Sequence, residues 1–128
     1  MYSSHTSEPG RSEGAYELFA RGMGFLRDGH PHQAAMLLAR AKLIEPEKAS
    51  IREALGRALF MSGRAHSARR EFAKAVQIDP VSDYAHFGLA LACERTGQRS
   101  RAIGHLKLAI AMRPGTEHYE QALSRIAG

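Results

Sequence analysis

Histidines, a lone cysteine and many arginines are the residues through which this chain could do chemistry. His30 and His32 stand one residue apart, close enough in sequence to share a metal ion. Zinc centres draw three or four ligands from Cys, His and carboxylates, and no Cys or carboxylate set accompanies this pair. Cys93 has no partner for a disulfide, and its place in the helical pattern points inward, where an unreactive cysteine behaves as a small hydrophobe. His86 and His105 fall elsewhere and are expected to pack or to face water. Gly22-Met23-Gly24 lacks the preceding strand that a phosphate-cradling loop requires. The expectation is a chain without catalytic residues, metal or cofactor, not an enzyme.

What could position any site is a repeat. Gly22, Gly29, Ala34, Ala41 and Pro46 recur 34 residues later as Gly56, Gly63, Ala68, Ala75 and Pro80. They recur again as Ala90, Gly97, Ala102, Ala109 and Pro114. A fixed period of this length marks a helical array, in which each unit buries its apolar face only against a neighbour. With 128 residues, 44% of them hydrophobic, the chain is long enough for one continuous core. The formal charge of +5 permits an acidic partner or nucleic acid without specifying either. No apolar run approaches the length of a membrane helix, and the N-terminus lacks a secretory layout. A cytoplasmic protein is expected.

Residues 1–14 carry no apolar periodicity and read as a flexible tail. From Ala15 the spacing becomes helical, with Leu18, Gly22 and Phe25 on one face and Tyr16, Phe19, Met23 and Leu26 on another. Gly29 should end this helix in the left-handed conformation, and Pro31 suits the first turn of the next. The following pairs should cover about 47–61 with 65–78 and 81–95 with 99–112, with Asp79 as N-cap and Pro80 as first residue of the fifth helix. The repeated alanines lie where paired helices cross and allow the axes to approach closely. After Pro114-Gly115, Tyr119, Leu123 and Ile126 form one apolar face of a last helix whose other face is polar, as a capping helix should be.

This pattern resembles the tetratricopeptide repeat, with small residues at the eighth, twentieth and twenty-seventh positions of each unit and Pro at the thirty-second. The resemblance implies an all-α fold, a right-handed α-solenoid of three helix-turn-helix units (15–48, 49–82 and 83–116) and a C-terminal cap (117–128). In this family the first helices of successive units line a concave groove that receives peptides or helices. The matching positions here are Tyr16, Phe19, Met23, Leu26 and Arg27, then Ser50, Glu53, Arg57, Phe60 and Met61, then Tyr84, Phe87, Leu91, Glu94 and Arg95. Of these, Tyr16, Phe19, Met23, Arg27, Arg57, Phe60, Tyr84, Phe87, Leu91 and Arg95 are the candidate partner-binding residues. Members that clamp the C-terminal carboxylate of heat-shock chaperones share a Lys/Asn/Asn/Lys/Arg set, whereas those positions hold Phe19, Met23, Ala54, Tyr84 and Gly88 here. That role is therefore not expected.

Turns within units carry Arg27, His30, His32, Arg64, His66, Arg95, Arg99 and Arg101, and turns between units carry Glu45, Glu47, Asp79 and Asp83. The expected function is a protein-interaction adaptor or chaperone-like scaffold. Its partner would be a peptide or amphipathic helix with apolar anchors and acidic residues. Two alternatives stand beside it: a self-assembling structural protein forming homo-oligomers, and a nucleic-acid-associated protein using the basic edge. No aromatics are interleaved with those arginines for base stacking, which disfavours the second alternative.

Overall fold

The structure, a computed structural model, describes residues 13–128. The tail expected over 1–14 lies, up to residue 12, outside the described residues. Seven helices follow in order: α1 (Ala15–Arg27), α2 (Pro31–Ile44), α3 (Ala49–Met61), α4 (Ala65–Ile78), α5 (Asp83–Arg95), α6 (Arg99–Met112) and α7 (Glu117–Ala127). No strand occurs among the described residues. The pairs α1–α2, α3–α4 and α5–α6 stack through α2 on α3, α4 on α5 and α6 on α7. First helices also touch one another, α1 with α3 and α3 with α5, while the second helices stand further apart. That inequality curves the α-solenoid and puts α1, α3 and α5 on its concave side.

Gly29, Gly63 and Gly97 turn each pair at φ of 81°, 80° and 83°, a region glycine enters without steric cost. Each closes a six-residue cap: His30 N–H donates to Phe25 O at 2.8 Å, Arg64 to Leu59 at 2.9 Å and Gln98 to Cys93 at 2.8 Å. Between units the expected boundaries shift. Asp79 is the C-cap of α4, and Pro80 lies in the turn rather than inside α5. A residue before proline is pushed toward extended backbone, and Asp79 stands at φ −133° and ψ 84°. The N-cap passes to Ser82, whose Oγ accepts the Ala85 N–H at 3.1 Å. Likewise α3 begins at Ala49, not at 47.

The alanines at 34, 68 and 102 and at 41, 75 and 109 are fully buried, as helices crossing at small residues require. At the neighbouring small position, a Cβ added to Gly22 would lie 2.7 Å from Leu38 Cγ, and one added to Gly56 would lie 2.9 Å from the Phe72 ring. The third unit takes Ala90 and the smaller Leu106 at the same spacing. Phe72 is held from a second side by Gly88 of α5, where a Cβ would come within 2.3 Å of Cε1. The ring thus fills a slot formed by two glycines on two helices, and ties α3, α4 and α5 together.

Both ends of the stack are finished differently from its middle. On α7, Tyr119, Ala122 and Ile126 are buried and Leu123 half-buried. Arg99 donates to the carbonyls of Ile126 and Ala127 at 2.9 and 3.0 Å, placing a cation at the negative end of that helix. On α1, Glu17 and Arg21 are exposed where the equivalent Ile51, Leu55, Ala85 and Leu89 are buried. Glu13 pairs with Arg21 beside that face.

The glycine slot sets the first test. Gly88→Ala should destabilise by about 1–3 kcal/mol through overpacking. Gly104→Ala, in α6 with open space around it, should stabilise by about 0.5–1 kcal/mol through helix propensity. Denaturant unfolding of both variants checks this, and Phe72→Leu should recover part of the Gly88→Ala loss.

Candidate partner-binding groove

All ten candidate residues lie on the inner helices: Tyr16, Phe19, Met23 and Arg27 on α1, Arg57 and Phe60 on α3, and the other four on α5. The structure draws five of them together. Arg57, Phe60, Tyr84, Phe87 and Leu91 line a cavity of about 140 Å³ between α3 and α5, with Met61 at its wall and Phe72 and Gly88 beneath. Tyr16 and Phe19 line a separate hollow of about 310 Å³ beside Ser50, Ile51 and Lys48. Met23, Arg27 and Arg95 border neither.

The local cause of the first cavity is again glycine. Gly88 lets the Phe72 ring come directly against α5, so the ring floors the cavity while Tyr84, Phe87 and Leu91 stand around it on the same helix face. Tyr84 meets Phe72 edge-on at 6.3 Å between centroids, and burial pushes its phenol pKa upward. Phe87 packs against Tyr119 and His118 at 4.7 and 5.2 Å, so the cap supports one wall. The Tyr119 hydroxyl donates to Asp83 at 2.5 Å, and Arg113 Nε donates to the same oxygen at 3.1 Å. Burial alone would raise the Asp83 carboxyl, but these two donors hold it below its ordinary range.

Unpaired arginines border the groove. Arg27, Arg57 and Arg95 form no ion pair among the described residues, whereas Glu94 is paired with Arg125 at 3.2 Å. The Arg95 guanidinium lies 4.5 Å over the Phe60 ring. Glu53 is half-buried, and desolvation raises its carboxyl pKa even though Ser82 Oγ donates to it at 2.8 Å.

Other expectations meet different outcomes. Leu26, projected onto the groove, is 3% exposed and belongs to the core. It continues the stripe of Leu18 and Gly22 at intervals of four, the spacing of one helix face, while Phe25 is only half-buried. Met61 is the converse, 48% exposed at the cavity wall. Cys93 is fully buried and its thiol pKa is pushed up, the opposite of a nucleophile's environment. No group of three metal-ligating side chains occurs among the described residues. No helix of the described residues is long and apolar enough to cross a membrane.

Sequence reasoning also missed a histidine pair between α5 and α6. The rings of His86 and His105 stack at 5.2 Å, with Nδ1 atoms 3.0 Å apart. His86 Nε2 lies 2.9 Å from the Pro80 carbonyl. A carbonyl only accepts, so His86 carries a proton on Nε2, and between two neutral rings His105 Nδ1–H donates to His86 Nδ1. Nothing in the spacing of the two residues signals this contact, because the fold, not local periodicity, makes them neighbours.

Two tetratricopeptide repeat models match the chain, one over residues 59–126 and the other over 19–83. Superkiller complex protein 3 of Mus musculus is 33% identical over 103 residues, which are 80% of this chain and 6% of that protein's length. Among solved structures, the first TPR of Spaghetti (RPAP3), bound to the HSP90 peptide SRMEEVD, superposes with a TM-score of 0.85. It is 15% identical, and the match covers 98% of this chain and 96% of that one. MamA superposes at 0.82 with 22% identity, over 88% of this chain and 66% of its own. At these identities the likeness is one of fold.

The histidine pair generates a pH test. Burial, then His86 and Arg101, hold the His105 pKa below its ordinary 6.5. Below pH 6.5 the unfolded chain therefore holds more protons than the folded one, and stability falls as pH is lowered toward the folded value. Unfolding midpoints followed from neutral to mildly acidic pH should drop for the natural chain and drop less for His105→Gln.

Proposed function

The chain belongs to the tetratricopeptide repeat family, and from that premise we propose that it is a non-catalytic, cytoplasmic protein-interaction module of the adaptor or chaperone-like kind. Its concave groove takes a peptide or amphipathic helix of a partner protein. The observation that carries this reading is the apolar cavity walled by Phe60, Tyr84, Phe87 and Leu91 with Arg57 beside it. A small cavity of this kind suits one aliphatic anchor, and unpaired arginines nearby favour a carboxylate next to that anchor. Tyr16 and Phe19 extend the apolar surface toward unit one.

The partner differs in chemistry from a chaperone C-terminus. At the positions where family members hold a terminal carboxylate, Ala54 and Gly88 are buried and Phe19, Met23 and Tyr84 offer no cation. The ligand is thus read by an internal apolar anchor, not by its chain end. The basic edge is a weaker candidate, because Arg99 is engaged with α7 and Arg101 with Gln98 at 2.7 Å.

Peptides selected from a random displayed library on the full chain provide the test. Arg57→Glu combined with Phe60→Ala should lower the affinity of the selected apolar-acidic peptides by tenfold or more, about 1.4 kcal/mol or above. The melting temperature should move by only a few degrees, since both side chains are half-buried at the groove surface. Undiminished binding by the folded double variant would remove the groove as their site.

A further inference from the structure

The curvature that closes the concave face opens the convex one. Between α2 and α4 lies a cavity of about 430 Å³, larger than either hollow of the groove. Leu55 and Leu59 of α3 form its floor, seen between the two spread second helices, and Ala35, Ala39 and Met36 form one wall. Met36 is 70% exposed, a large apolar side chain left uncovered at the rim.

The charges around this floor are unevenly placed. Where α2 and α4 both begin stand His32 and Arg64, and Arg70 follows nearly two turns along α4. Arg64 and Arg70 form no ion pair among the described residues, and Arg70 only donates to Ser67 Oγ at 3.2 Å. The two helix N-termini add partial positive charge at the same end. Next to Arg70, Glu71 is the one acid of the lining, and it is neutralised by Lys42 at 2.8 Å and Arg52 at 3.0 Å. An apolar floor bordered by uncompensated cations matches an apolar face that carries acids beside it.

We propose that the α2–α4 groove is a second docking site, separate from the concave one, for an acidic amphipathic segment of another protein. The segment lies along the groove with its apolar side chains over Leu55, Leu59 and Met36 and its carboxylates at Arg64 and Arg70. Charge complementarity selects this occupant. A second copy of the chain would bring no free acid in this groove to those arginines, since Glu71 is already paired, and the lining holds no Phe, Tyr or Trp on which bases could stack.

The experiment pans a random displayed peptide library on the full chain carrying Arg57→Glu and Phe60→Ala, so that failure of the concave reading leaves the result interpretable. Peptides that combine acids with Leu, Met or Phe should be recovered. Arg64→Glu with Arg70→Glu should weaken them about tenfold or more, Met36→Ser should weaken them less, and binding should fall with salt. Arg64→Lys with Arg70→Lys should keep most of the affinity, and serves as the readout if the reversal variant does not fold. The proposal is overturned if no such peptides emerge, or if those that do are indifferent to Arg64, Arg70 and Met36. It is also overturned if oligouridylate displaces them at lower concentration than acidic peptides do, or if light scattering shows a dimer that Met36→Ser dissolves.

Discussion

One aromatic ring in a slot made by two glycines holds the middle of this array. Phe72 projects from α4 into the space left by Gly56 on α3 and Gly88 on α5, with no room for a Cβ on either. Dispersion and the exclusion of water act over the whole ring, and the cost of a void or a clash there falls on three helices at once. In a repeat array, where stability is close to a sum of unit and interface contributions, a contact shared by two units is the coupling between them. The equivalent contact in unit one sets the smaller Leu38 against Gly22.

That packing choice also shapes the surface. With Gly88 at the foot of the groove, the α5 side chains above it surround a cavity in place of a filled wall. The same close approach of α3 to α5 makes the stack curve, and the curvature separates α2 from α4 on the outer side. Concave and convex hollows are consequences of one geometry. They differ in chemistry: the inner one is aromatic with arginines at its border, the outer one aliphatic with free cations along α4.

Much of this was legible in the residues. The glycines at 29, 63 and 97 announce their turns because only glycine enters φ near 81° cheaply. The alanines at 68 and 75 announce helix crossings because nothing larger fits. Such signals are local, or recur at the period of the fold. Less legible were contacts that depend on which side chain reaches across a seam. Asp79-Pro80 looks like a helix start, yet Ser82 offers the better-placed acceptor. Leu26 looks like a groove residue until its alignment with Leu18 and Gly22 is weighed above its spacing from Phe19. The His86–His105 contact, the Arg99 cap on α7 and the second glycine against Phe72 join residues 16 to 28 positions apart, and no periodicity within one helix encodes them. Of the candidate groove residues, helix phase placed each on an inner helix, but only the packing of α5 on α3 decides which share a cavity.

Native-state hydrogen exchange read helix by helix tests most directly whether the Phe72 slot is the coupling between units. If it is, amides of α3, α4 and α5 share the highest protection, and Phe72→Leu lowers all three by a common increment while α1 and α7 change little. A loss confined to α4, or greatest protection in α1 and α2, would contradict it.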